Sequence, residues 1–262
     1  MIVDCHTHIN STGEEIEASE HLSASETVDV CIVLANAGAG ESNAEINRNL
    51  SAYINKHSEK TVGFALVDPR RDKINVKNVA SNKEKLGLSG AVIYCSEMGF
   101  HPVHSRAMRF YESAEEVGLP VFFHNGDPLG ADAVLDYAQP YLLDEVARTF
   151  KTLKIVVGNM GFPFVEQTLS VLAKHDNVYA DLTISPNRVW QVYNAVVSAY
   201  ERGVMEKLLF GSGYPDGRAG ECIETLLGFN KLLPEASLPP VPRGSIRNII
   251  ERNSLESLGI ER

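Results

Sequence analysis

Short apolar runs, rich in Val and Ile and bounded by Gly, Pro, Asp or His, recur along the chain. They alternate with longer segments whose apolar residues fall on one helical face. The runs occupy 2–6, 27–34, 61–67, 90–95, 121–124, 154–157, 178–182 and 208–210. Continuous apolar runs of this length read as parallel strands covered on both faces. Between them, 106–117 places Met108, Phe110, Tyr111, Ala114 and Val117 along one stripe and stops at Gly118, a residue suited to a helix C-cap. The segments 132–150, 189–200 and 222–233 continue the alternation, with Pro140 predicting a kink or a pair of shorter helices in the first of them. Eight strands alternating with helices every ~20–35 residues predict an α/β fold, a single (β/α)8 TIM-type barrel. One domain takes up 1–262, and a last helix over 243–259 closes it after the proline-bounded loop 234–242. The rival fold is a doubly wound open sheet. It often carries a Gly-rich phosphate loop after its first strand, and no G-x-G-x-x-G follows Ile2 and Val3.

Composition narrows the partners. Of 262 residues, 44% are hydrophobic and 22% charged, enough to build a core and too apolar for disorder. Asp and Glu number 34 against 24 Lys and Arg, a net charge of −10. That sign argues against nucleic acid and against an anionic membrane surface, while leaving room for a local basic pocket. No run approaches the ~20 apolar residues of a membrane span, and the first residues lack the basic and apolar regions of a signal peptide. Cys5, Cys31, Cys95 and Cys222 lie far apart and form no C-x-x-C. They read as buried free thiols in a reducing, cytoplasmic setting.

In such a barrel the chemistry comes from the C-terminal ends of the strands. The first strand ends in His6-Thr7-His8, the fourth near Glu97, the fifth in His124, the sixth in Asn159, the seventh in Asp181 and the eighth in Ser212-Gly213. Residues i and i+2 of a strand share a face, so His6 and His8 reach one point at the mouth. Asp4 shares that face and could orient one of them. His124 ends a buried apolar run and is the natural third ligand. Three imidazoles suit a divalent metal, most of all Zn2+, and leave one position open for a water or a substrate oxygen. The competing structural readings are a chance H-x-H and a core histidine bonded to a carbonyl.

Those residues carry a resemblance. Ile2-Val3-Asp4-Cys5-His6-Thr7-His8 resembles the D-x-H-x-H opening of the amidohydrolase superfamily, in its amidohydrolase-2 branch. The segments 118–126, 154–161 and 208–215 resemble that branch's fifth, sixth and eighth strands. The resemblance implies a distorted barrel with a metal at its mouth, hydrolysing or decarboxylating a small carboxylated or cyclic substrate, and it admits a homodimer. It also implies a histidine where this chain has Asn159 and a metal-binding, basic aspartate where it has Gly213. Asn159 can hydrogen-bond a substrate but cannot exchange protons near neutral pH. Asp216, three residues past Gly213, is then the candidate base, with Glu97 and Asp127 as lesser candidates. His101 and His104 are candidate substrate contacts, and Arg188 and Arg218 candidate carboxylate clamps. Three readings follow. The first is a metal-dependent hydrolase with a small, anionic substrate. The second is a decarboxylase on the same metal. The third is a degenerate barrel that binds a small molecule without turnover.

Overall fold

Each apolar run forms one strand of a single parallel sheet, in a computed structural model that describes residues 1–9, 15–36, 41–126, 129–228, 230 and 240–261. The strands are β1 (Val3–Thr7), β2 (Val30–Leu34), β3 (Thr61–Leu66), β4 (Leu88–Ile93), β5 (Val121–Phe123), β6 (Ile155–Val157), β7 (Val178–Thr183) and β8 (Leu208–Gly211). They neighbour one another in sequence order, every pair parallel. β1 and β8 meet through a single bridge, Thr7 to Tyr214. Around it, His8 N–H donates to the Tyr214 carbonyl and Gly213 N–H to the His6 carbonyl, each at 2.9 Å. Asp4 Oδ1 accepts the Ser212 N–H at 2.9 Å. The sheet is thus a nearly closed (β/α)8 barrel, as the alternation predicts.

The period of two sorts the strand side chains. Phe64, Val92, Phe122, Val156 and Leu209 belong to one buried cluster. Val121, Phe123, Ile155, Val157 and Phe210 belong to a second, which they share with the helix residues Phe110, Tyr111, Leu169 and Val196. Burying each such large side chain stabilises the fold by about 1.5–3 kcal/mol.

The outer helices are α1 (Glu15–Ala24), α2 (Asn43–Lys56), α3 (Val76–Glu84), α4 (Ser105–Glu116), α5 (Leu143–Thr149), α6 (Val165–Lys174), α7 (Val189–Glu201), α8 (Ala219–Gly228), α9 (Arg243–Glu251) and α10 (Ser254–Ser257). α4 and α7 coincide with the apolar stripes to within a residue at each end. Two expectations are corrected. The segment 132–150 is no kinked helix. It makes two 3-10 turns, at Leu135–Ala138 and Pro140–Leu142, before α5. Pro140 sits at the start of its turn, where a missing N–H costs nothing. The closing helix over 243–259 is two helices. The chain leaves helical geometry at Arg252 (φ −65°, ψ 129°), and the Asn253 side chain then caps α10 by accepting from Glu256 N–H. Part of the segment 222–233, most of the loop 234–242, and Asp127 lie outside the described residues. All four cysteines are buried free thiols. Among the described residues no helix is long and apolar enough to cross a membrane.

Candidate metal centre

β1 carries His6 and His8 to the mouth of the barrel, and the end of β5 carries His124 to meet them. One ring nitrogen from each lies within 4.8 Å of the other two. His6 Nε2 and His8 Nε2 stand 3.0 Å apart, and His8 Nε2 and His124 Nε2 stand 3.2 Å apart. What stands behind each ring differs. His6 Nδ1 faces Asp181 Oδ2 at 2.5 Å. His8 Nδ1 faces the Leu34 carbonyl at 3.1 Å. His124 Nδ1 is buried, with no partner among the described residues. A carboxylate and a carbonyl can only accept, so the Nδ1 atoms of His6 and His8 carry the protons, and both Nε2 lone pairs are left for the shared point.

Burial and the neighbouring rings disfavour protonation at two of the three rings. Burial, and next the charge of His6, push His8 down to about 3. Burial, then His6 and His8, hold His124 well below the usual histidine range. One proton could bridge one pair of these nitrogens, whereas one cation serves all three together. Three converging imidazoles, two of them kept from protonation by burial, therefore fit a divalent metal.

The cluster opens into a cavity of about 560 Å³ whose wall includes Asn36, Asn159, Arg188, Gln191 and Asp216. Asn159 lies beyond β6 in a left-handed stretch. Asn159 (φ 50°), Met160 (φ 52°) and Gly161 (φ 65°) follow one another. The first two adopt it at a cost of roughly 1–2 kcal/mol each. Three bonds hold the stretch: Asn159 N–H to Asp181 Oδ2 at 3.1 Å, Asn159 Nδ2 to the Asn125 carbonyl at 2.5 Å, and Thr168 Oγ1 to the Met160 carbonyl at 2.8 Å. Asp216 is exposed on the rim, in a turn where its N–H donates to the Gly213 carbonyl.

The other candidates separate. Arg188 is in the cavity wall. Arg218 instead donates to Ser23 Oγ at 3.2 Å. Glu97 accepts from Ser96 Oγ and from Gly126 N–H, fastening the end of β4 to the end of β5. His101 and His104 are engaged locally. His101 Nδ1 accepts from Val103 N–H, and His104 Nδ1 from Arg106 N–H at the start of α4. Asp4 does not orient a ligand ring. Its Oδ1 accepts the backbone N–H groups of His6 and Ser212, and burial, against those bonds, pushes its carboxyl up to about 6. The carboxylate beside a ligand ring is Asp181, which the sequence places at a strand end without a role.

The comparisons agree with the barrel. No curated protein matches the sequence. Similar solved structures include a probable 2-pyrone-4,6-dicarboxylic acid hydrolase from Acinetobacter baumannii with citric acid bound (15% identity, 99% of each chain, TM-score 0.69). They also include the 5-carboxyvanillate decarboxylase of Sphingomonas paucimobilis (12% identity, 99% of each chain, TM-score 0.68). A third is a dihydroxybenzoic acid decarboxylase from a Polaromonas species with bound manganese and 2-nitroresorcinol (14% identity, 100% of this chain and 97% of that one, TM-score 0.65). At such identities the likeness establishes the barrel and no more. The amidohydrolase family model, by contrast, matches the sequence itself over residues 3–256, from the strand that bears His6 and His8 to the last helix, and so the chain belongs to the amidohydrolase family.

Proposed function

We propose that the chain is a metal-dependent hydrolase of a small, anionic, cyclic or carboxylated substrate, with one divalent cation, Zn2+, held by His6, His8 and His124. The observation that carries this reading is the convergence of three imidazole nitrogens within 4.8 Å at the floor of a substrate-sized cavity. A bound cation would supply a Lewis acid that polarises a substrate oxygen. Around it, Asp216 is the carboxylate of the cavity wall and the candidate proton acceptor. Asn159 spends its Nδ2 on the Asn125 carbonyl, which leaves Oδ1 to accept from a substrate hydroxyl or N–H. Arg188 on the rim pairs with a substrate carboxylate through its planar guanidinium.

One observation favours a second reading, decarboxylation. Gly213 provides no base on β8, and removal of CO2 depends less on activating water than hydrolysis does. A panel of cyclic esters and aromatic and cyclic carboxylates, assayed on metal-loaded protein for ring opening and for CO2 release, separates the two. Ring opening is expected. CO2 release without hydrolysis would transfer the assignment to a decarboxylase. Neither product, together with a ligand-induced rise in melting temperature, would leave a barrel that only binds.

A further inference from the structure

We propose that Asp181 is the positioning carboxylate of this centre. From β7 it fixes the ring of His6 and the tautomer that turns Nε2 toward the centre. The inference rests on the metal-centre reading above and concerns how the centre is built.

Asp181 is fully buried, and among the described residues its ion-pair partner is His6. Its Oδ2 accepts from His6 Nδ1 at 2.5 Å, from Thr183 Oγ1 at 2.5 Å and from Asn159 N–H at 3.1 Å. Cys5 Sγ lies 3.7 Å from Oδ1. Three donors thus converge on Oδ2 and hold the side chain in one place. A carboxylate behind a ligand imidazole fixes the tautomer and raises the basicity of the far nitrogen. His8 has a carbonyl in that place, and among the described residues His124 has no partner there. The three ligands are therefore graded, with His6 the strongest donor.

Two glycines of the eighth strand and its exit make room for this arrangement. A Cβ at Gly211 would lie 2.2 Å from Asp181 Oδ1 and 2.9 Å from His6 Cβ. Only a hydrogen at 211 lets the carboxylate cross from β7 toward β1. A Cβ at Gly213 would lie 2.6 Å from Thr183 Cγ2, and the backbone there is left-handed, with φ +65°. The place of a β8 carboxylate is thus closed by the same β7 residue whose hydroxyl holds Asp181. Asp181 also ties the ligand to the cavity wall, because the Asn159 backbone hangs from the same oxygen.

The test is zinc affinity, read by competition with a chromophoric chelator on full-length, metal-stripped protein. Asp181→Asn is expected to weaken zinc about 10–100-fold. Thr183→Val, which removes one donor and keeps the shape, should weaken it by a smaller factor. Asp144→Asn, a surface carboxylate paired with Lys174 and His175, should leave it unchanged. Melting curves of the metal-free variants separate loss of fold from loss of affinity. Nitrogen NMR of the metal-loaded wild type needs no variant, and should show His6 protonated at Nδ1. A wild type that binds zinc while Asp181→Asn binds it equally well, or a His6 protonated at Nε2, overturns the inference and leaves the functional reading standing. A wild type that binds no metal fails the functional reading itself.

Discussion

His8 and Gly213 show how differently single residues bear on the centre. His8 Nε2 is the atom that touches both other imidazoles. His8→Ala should therefore abolish stoichiometric zinc uptake, read by elemental analysis of the folded variant. Gly213→Asp puts back the residue type that the family resemblance implies, and it should still not raise metal affinity. The left-handed backbone and the 2.6 Å approach to Thr183 Cγ2 should instead destabilise the protein by about 1–3 kcal/mol in a denaturant titration. His21 gives a prediction in pH. Its Nδ1 meets Tyr53 Oη at 2.8 Å and its Nε2 meets Thr7 Oγ1 at 3.1 Å, behind the metal strand. Burial, and next the charges of His57 and Lys60, lower it from 6.5 to about 4. The unfolded chain takes up a proton below 6.5 that the folded protein refuses until about 4. The contribution of a neutral His21 is thus complete above pH 6.5 and is lost as pH falls through that window, by roughly 3 kcal/mol in all. Stability of wild type minus His21→Gln, measured from pH 7.5 to 4, should fall by that order; a pH-independent difference would contradict the assignment. The H-x-H pair was legible because strand periodicity alone puts i and i+2 on one face. Asp181 was not, because nothing in one strand's sequence says which neighbour its carboxylate crosses to. Asp4, on the ligand strand itself, was the nearer guess, and its oxygen is taken by backbone.

Among the elements, the turn after β6 carries the most local tension. Two non-glycine residues in the left-handed region are tolerated because three hydrogen bonds over-determine the segment. Asn159→Ala removes the bond to the Asn125 carbonyl and a side chain suited to that backbone. It should cost about 1–3 kcal/mol in a chemical denaturation curve, whereas an unchanged midpoint would show the side chain to be idle. This turn could not be read from the sequence. Asn is compatible with a left-handed residue, but Met160, buried and with its carbonyl bonded by Thr168 Oγ1, gives no such signal. Strands were the easier element, since a buried run ending in Gly or Pro leaves few alternatives. In the segment 132–150 the break expected at Pro140 is present, but the pieces before α5 are 3-10 turns, which helical spacing of the apolar residues does not distinguish from a longer helix.

Across the whole molecule, the barrel is joined between β1 and β8 by one bridge and by the hydrogen bonds around it, close to His6 and His8. A cation bound by β1 and β5 should therefore stabilise the closed barrel as well as serve chemistry. At free metal about 1,000 times the dissociation constant, linkage gives ~4 kcal/mol, or about 10 °C in melting temperature for a chain of this size. Scanning calorimetry of stripped and reloaded protein measures it. The net charge of −10 disfavours polyanionic partners on average, and the proposed cation in its cavity is where an anionic substrate would still be drawn. All of this depends on the ion. Elemental analysis of protein purified without chelator is the most direct test. It should return about one equivalent of a divalent metal per chain, retained in wild type and absent from His8→Ala. Less than about one tenth of an equivalent, with no uptake on reconstitution, would contradict the account.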